Sequence, residues 1–359
     1  MKRIIHVITT IERGGAENQL LVVARAQVQS GRKVTIVPLK GRLELDKEFS
    51  LLGAEINRRL LNKHPLFQIL LLAKLVDNEN NFIHAHLPRA ELIVSLLPKR
   101  IKFVVTRHNA ENFFPGKPAV FSRFLSRFVA IRSNGVIAIS QAVKDFMYSK
   151  RELPASYKVE LVYYGYDTKF LEPKNTKVLL PRSSGSQKII GTVGRLVPQK
   201  DYETLLIAFK DYSAVSPESK LVILGEGYLE ASLKLMTYNL GISKKVVWVG
   251  KSDNVAGYMR EFDLMILTSR YEGFGLVLLE AMLARVPVIA SRNSAIPEVL
   301  GEQHPGLCQT GNSEEFASRL IEFESSARVL EVIEVQDLRV AQFSPEIMRK
   351  KLDMVYELV

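Results

Sequence analysis

The sequence predicts an α/β protein made of two doubly wound parallel-sheet domains that face each other across a cleft. Three observations carry this expectation. Short β-branched runs alternate with longer helical patterns, as βαβ units require. The alternation stops over residues 167–187, a stretch with two prolines and Ser183-Ser184-Gly185-Ser186, and then restarts. Glycine turns follow the first strand of each series, where such folds hold ligands outside the carboxyl ends of the strands.

Taken in order, strands are expected over residues 4–9, 33–39, 82–86, 103–108 and 135–140, with helices such as 17–30 and 90–98 between them. The second series places strands at 188–193, 221–224, 246–249, 264–267 and 288–290. The closing segment reads as a helix with Ser344 as cap, Pro345 at the first position and Ile347, Leu352, Met354 and Val355 among charges. The expected division is therefore 1–168, a linker over 169–187, a second domain over 188–342, and a C-terminal helix over 343–359 that packs back on the first domain.

A length of 359 residues with 47% hydrophobic content suits two proper cores. After Met1-Lys2-Arg3 the apolar stretch is short and interrupted by His6, which does not resemble a signal peptide. The run over 66–76 is broken by Gln68 and Lys74 and is too short to span a bilayer. Cys308 is the only cysteine, so no intramolecular disulfide is possible, which fits a reducing compartment. The expectation is a soluble cytoplasmic chain.

The net charge of +11 is uneven. Residues 1–170 carry 27 Lys+Arg against 14 Asp+Glu, so the basic excess lies entirely in the N-terminal half. Part of it falls on residues 121–132. If helical, this segment stacks Arg123 over Arg127 with Phe121, Phe124, Leu125 and Phe128 flanking them. That pattern suits an anionic membrane surface, and equally a core helix with a snorkelling rim. No nucleic-acid-binding signature accompanies the charge, and no nucleic-acid partner is expected.

The most informative stretch is Glu272-Gly273-Phe274-Gly275-Leu276-Val277-Leu278-Leu279-Glu280. It places two carboxylates around a glycine turn, with an apolar helix behind. A helix apolar nearly all round is buried, so Glu280 within it must be paired, hydrogen-bonded or functional. The turn brings backbone close to a ligand, and first-turn amides have no partner inside their helix. Together they make a seat for phosphate or sugar oxygens. The plainer alternative is a surface helix with a capping and a solvated glutamate.

Other motifs support this one. Gly14-Gly15-Ala16-Glu17 opens the first helix as either an anion site or a plain tight turn; it matches neither the dinucleotide fingerprint nor a Walker lysine pattern. Gly194-Arg195-Leu196-Val197-Pro198-Gln199-Lys200-Asp201 offers two cations suited to a diphosphate, Arg195 by forked hydrogen bonds and Lys200 as a point charge, unless it is a solvated basic loop. Gly225-Glu226-Gly227 is compatible with a nucleotide site. His84, His86 and His108 fall at strand ends, with side chains expected to face the cleft; their spacing suggests no zinc site, His84 reads as structural, and His108 is the one placed in the cleft. No Asp-x-Asp triplet is present to hold a divalent metal on a diphosphate.

These residues resemble those of the large family-4 group of retaining glycosyltransferases, which have the two-Rossmann-domain GT-B fold. The resemblance runs over essentially the whole chain. It includes Gly14-Gly15-Ala16-Glu17, and Tyr164-Gly165-Tyr166-Asp167 through Phe170, where the family usually reads Asn-Gly-Val-Asp. It continues through Gly194-Arg195 to Lys200, Val249-Gly250, Glu272-Gly273-Phe274-Gly275 to Glu280-Ala281-Met282, and Pro287-Val288-Ile289-Ala290 to Pro297-Glu298-Val299. The resemblance implies that Glu272 binds sugar hydroxyls and Glu280 the nucleotide ribose. Amides around Phe274, Gly275 and Leu276 would contact the donor, and Arg195 with Lys200 would grip the diphosphate. His108 would lie beside the donor sugar.

The implied reaction is metal-independent transfer with retention, the leaving phosphate taking the acceptor's proton, and no cofactor. Expected catalytic residues are Glu272, His108, Arg195 and Lys200; expected donor-binding residues add Gly14, Gly15, Gly225, Gly250, Phe274, Gly275, Leu276 and Glu280. The expected donor is a nucleotide sugar, UDP-linked as in the commonest similar proteins, and the acceptor a lipid-linked or membrane-associated saccharide of the cell envelope, reached from the inner face of the plasma membrane. A UDP-sugar epimerase of the same architecture and a non-catalytic saccharide- or nucleic-acid-binding module are the competing readings.

Overall fold

The computed structural model describes residues 3–76, 81–114, 116–154, 156–166, 178, 180, 182 and 187–359. The chain divides into two compact units, Met1–Asp167 with Phe343–Val359, and Thr168–Gln342. The linker expected over 169–187 falls mostly outside the described residues, as do Asp167 to Phe170 of the family resemblance.

The first unit runs β1 (Arg3–Ile8), α1 (Gly15–Gln29), β2 (Val34–Pro38), α2 (Asp46–Leu51), β3 (Glu55–Ile56), α3 (Pro65–Leu75), β4 (Asn81–His86), α4 (Pro88–Ser95), β5 (Phe103–Arg107), α5 (Ala119–Arg132), β6 (Gly135–Ala138), α6 (Gln141–Ser149) and β7 (Val159–Leu161). Its strands form one parallel sheet in the order β3-β2-β1-β4-β5-β6-β7. Helices cover such sheets on both faces, which explains why β2 and β5 are buried along their whole length rather than alternately. The edge strands β3 and β7 are too short to carry a period, and the sequence pattern did not show them.

The second unit runs β8 (Ile189–Val193), α7 (Tyr202–Val215), β9 (Lys220–Leu224), α8 (Glu230–Asn239), β10 (Val246–Gly250), α9 (Val255–Met259), β11 (Leu264–Leu267), α10 (Leu276–Leu283), β12 (Val288–Ser291), α11 (Ile296–Leu300), β13 (Leu307–Cys308), α12 (Ser313–Glu322) and α13 (Ser326–Val340). Its sheet, again parallel, has the order β10-β9-β8-β11-β12-β13. Its core joins Leu205, Leu206 and Phe209 of α7 to Phe316 and Leu320 of α12. Gln336 on α13 is fully buried, and it completes the backbone at the entry to β12: Val288 N donates to its Oε1 at 3.0 Å, and its Nε2 donates to Val286 O at 2.9 Å.

The last helix, α14 (Pro345–Glu357), belongs to the first unit. Ser344 caps it by accepting from Ile347 N at 3.2 Å. Met348, Leu352 and Val355 enter the core containing Leu20 and Val23 of α1. Gln19 of α1 donates to Gly165 O at 2.7 Å, and Tyr166 N to Phe343 O at 2.9 Å, which tie the returning chain to the strand side.

Candidate active site

In the second unit the strand order reverses between β8 and β11, so the loops leaving these neighbours open the crevice where doubly wound sheets hold ligands. The loop after β8 carries Arg195 and Lys200; the loop after β11 carries Thr268 to Gly275. The two are stitched together. Arg270 N donates to Gln199 O at 2.8 Å, Gln199 Nε2 to Tyr271 O at 2.9 Å, and Thr268 Oγ1 to the carbonyls of Lys200 and Asp201 at 3.0 Å each.

This stitching brings Lys200 Nζ to 2.6 Å from Glu272 Oε1, with side-chain exposures of only 14% and 8%. The same oxygen accepts from Ser269 Oγ at 2.7 Å, and the Glu272 carbonyl accepts from Ser294 Oγ at 2.7 Å. Two of the four side chains on which the sequence argument rested are thus in contact, held by hydroxyls that no motif announced. Arg195 stands exposed on the same loop as Lys200.

Gly275 adopts the left-handed region at φ 85° as it caps α10, and Leu276 is the first residue of that helix. A side chain is strained there, and a Cβ would also stand 3.0 Å from Leu278 Cδ1, so glycine makes the turn. Glu280 lies one turn in. Among the described residues its carboxylate has no hydrogen-bond or ion-pair partner, and burial pushes it up to about 7. Of the three fates open to it, pairing and internal hydrogen bonding are therefore not what the fold provides. Gly225 and Gly250 sit at the ends of the adjoining strands: Gly225 N donates to Gly250 O at 2.9 Å, and a Cβ on Gly225 would stand 2.0 Å from Gly194 O. The chain can pass there only as glycine.

The first unit holds the remaining candidates. Gly14 and Gly15 open α1, but the carboxylate resting on this turn is the chain's own Glu17, with Oε2 2.5 Å from where a Gly14 Cβ would be. Thr10 Oγ1 donates to Glu17 Oε1 at 2.7 Å, and burial raises the pKa of Glu17 despite that bond. At the end of β5, Arg107 is buried between Glu91 and Glu152, stacked 4.5 Å from the Phe113 ring. This fixes the strand end from which His108 projects.

The histidines differ from expectation. His84 and His86 are buried rather than presented to solvent, at 1% and 2% exposure, and line only a small internal cavity. The parallel register sets His84 beside His6 and His86 beside Ile8, a neighbourhood that linear spacing does not show. The rings of His6, His84 and His86 approach closely enough for a metal, yet hydrogen bonds account for all their nitrogens. His6 meets Gln27 at 2.8 Å and His86 at 3.0 Å, and His84 meets Tyr356 at 2.8 Å and Thr106 at 2.6 Å. His86 Nδ1 meets His108 Nε2 at 3.1 Å, and His108 Nδ1 is bonded to Tyr164, so both nitrogens of His108 are engaged.

Comparison with known proteins agrees with this architecture. Residues 13–170 match the model of Glycosyltransferase Family 4, and residues 181–334 that of Glycosyl transferases group 1. N-acetyl-alpha-D-glucosaminyl L-malate synthase of Bacillus anthracis is 29% identical over 280 residues, which is 74% of this chain and 72% of that protein. The N-acetylgalactosamine-N,N'-diacetylbacillosaminyl-diphospho-undecaprenol 4-alpha-N-acetylgalactosaminyltransferase of Campylobacter jejuni is 30% identical over 151 residues, 42% of this chain and 40% of its own. The Anabaena protein HepE, solved in complex with UDP-glucose, superposes with a TM-score of 0.81 at 18% identity over the whole of both chains. The two family models fall one on each parallel sheet and together span most of the sequence, so this chain belongs to the group 1, family 4 glycosyltransferases of the GT-B fold.

Proposed function

We propose that this glycosyltransferase moves a hexose or N-acetylhexosamine from a UDP-sugar, with retention and without a metal, to a lipid-linked or membrane-associated saccharide of the cell envelope. The observation that carries the reading is the Lys200–Glu272 contact beside the glycine turn into α10. A cation, a carboxylate and a helix N-terminus meet at one strand-order reversal, which suits a ligand that is anionic at one end and polyhydroxylated at the other. On binding, Lys200 and Arg195 take the diphosphate and stabilise the leaving charge. Glu272 turns to sugar hydroxyls, and the unpartnered Glu280 takes the ribose. The amides of Phe274, Gly275 and Leu276, with the backbone at Gly225 and Gly250, line the donor; His108, Gly14 and Gly15 act from the first unit.

Two relatives support the substrate classes. The Anabaena neighbour carries UDP-glucose, and the Campylobacter relative is named for a diphospho-undecaprenol acceptor. A thermal-shift screen of UDP-, GDP- and ADP-sugars tests the donor, because a ligand that binds only the folded state stabilises it by mass action. The UDP-sugar series should raise Tm; a shift confined to GDP- or ADP-sugars rejects the assignment.

Membrane contact through the first unit belongs to the same reading. No helix among the described residues is long and apolar enough to cross a bilayer. α5 nonetheless exposes Phe121 at 50% and Phe124 at 68%, together with Val120 and Ile131, next to part-buried Arg123 and Arg127. α4 packs between α3 and α5, and α3 exposes Leu66, Phe67 and Leu70. Apolar side chains exposed among cations suit the anionic inner face of a membrane better than a helix buried in a core.

A further inference from the structure

Four of the six histidines lie in one hydrogen-bonded chain within the first unit, and the direction of that chain follows from the chemistry of its members. The amide oxygen of Gln27 only accepts, so His6 Nε2 carries the proton that meets it at 2.8 Å. A neutral imidazole has one donor and one acceptor, so His6 Nδ1 accepts from His86 Nε2 at 3.0 Å. His86 Nδ1 then accepts from His108 Nε2 at 3.1 Å, and His108 Nδ1 accepts from the phenol of Tyr164. Beyond Gln27 the same sense continues: its Nε2 donates to Tyr356 Oη at 3.2 Å, Tyr356 donates to His84 Nδ1 at 2.8 Å, and His84 Nε2 donates to Thr106 Oγ1 at 2.6 Å. Each imidazole and phenol uses its one donor toward the next member, Gln27 uses one of its two, and reversing a single ring would set two protons or two lone pairs face to face.

The neutrality this needs is built in. His6, Gln27, His84 and His86 are all within 2% of full burial. Burial holds His6 down at about 4 and His108 at about 3, the latter helped by the neighbouring Arg107 charge, and holds His84 and His86 well below 6.5. A cavity lined by His84, His86, Thr106, His108 and Tyr164 lies beside the chain and touches members from both of its ends.

We propose that His6, His86 and Gln27 are positioning residues for glycosyl transfer: they fix His108 as its Nε2–H tautomer, so that Nδ1 accepts a sugar hydroxyl in exchange for the Tyr164 phenol. This rests on the reading of the chain as a UDP-sugar transferase with His108 beside the sugar. The consequence is selective. An acceptor nitrogen takes a hydroxyl, which donates, and turns away a phosphate oxygen, which at neutral pH only accepts. Tyr164, standing where the family usually has Asn, is the group that fills that nitrogen in this structure.

The test has two readouts on the full chain. Nitrogen-15 spectra of labelled histidines at pH 7.5 should show His108, His86 and His6 all as Nε2–H tautomers. In His86→Leu, or in Gln27→Leu should the first variant fold poorly, His108 should become a mixture of tautomers. The affinity for UDP-glucose should fall about tenfold while that for UDP alone is unchanged, as expected for one lost hydrogen bond to the sugar. A wild-type His108 with the proton on Nδ1 overturns the proposal. So does a variant that keeps the tautomer, or one that weakens UDP and UDP-glucose alike, the mark of a merely structural role. A wild-type protein with the expected tautomers that binds neither ligand counts against the donor assignment and the sugar contact, while the spectra decide the chain itself.

Discussion

Lys200 and Glu272 satisfy each other at 2.6 Å, and under the proposed function donor binding exchanges that contact for two new ones. Removing one partner leaves a nearly buried charge, which costs about 3 kcal/mol, whereas removing both with apolar or neutral isosteres costs much less. Lys200→Met should therefore lower Tm and abolish UDP release. The double variant Lys200→Met with Glu272→Gln should recover most of the Tm and none of the turnover; melting curves beside a UDP-release assay separate the two roles. The pair was legible in the sequence because both residues lie just after strands that a doubly wound order makes neighbours, and because the glycine turn marks the second of them. Ser269, which shares Glu272 Oε1, was not. A serine three positions before a glutamate has no signature until the loop folds. The histidine chain escaped for a related reason: residues 6, 27, 86 and 108 meet only through parallel register and helix packing.

Among elements, the long buried strands were readable from their β-branched runs, and α14 from its Ser-Pro start. The strands β3, β7 and β13 were not, because two or three residues at a sheet edge hold no period. Helix α13 carries a feature of the same hidden kind. Gln336→Leu would leave Val288 N and Val286 O unpaired in the interior, and should cost about 1–3 kcal/mol in denaturant unfolding. The exposed face of α5 makes a prediction of its own. Phe121→Ser with Phe124→Ser should reduce co-sedimentation with vesicles containing anionic lipid, and raising salt should do so for the unaltered protein. Binding indifferent to lipid charge and to salt would rule out the membrane role.

At the scale of the molecule, burial of so many neutral histidines ties stability to pH. Below about 6.5 the unfolded chain takes protons on His6, His84, His86, His108 and His304, which the folded protein refuses until about 4 at His6 and His304 and about 3 at His108. Stability is therefore lost as pH falls through that window. Glu17, Glu91 and Glu280 act in the opposite sense. Their folded pKa values are raised, to about 7 for Glu91 and Glu280, so they bind protons in the folded state first and add stability as pH falls toward 4.5. Among the described residues five histidines are lowered against three carboxylates raised, and each net proton is worth about 1.4 kcal/mol per pH unit. The urea midpoint should accordingly drop from pH 7.5 to pH 5; a midpoint that rises instead would show that the histidines are charged in the folded protein.

The most direct measurement of the central claim is calorimetric titration of UDP into the wild-type chain and into Lys200→Met, each first shown to be folded. The account predicts saturable binding to the wild type and a loss of at least about tenfold in affinity for the variant, the least expected when a cation leaves a diphosphate. Equal affinity in the two proteins would contradict it, since the cation after β8 would then not be part of a nucleotide-sugar site.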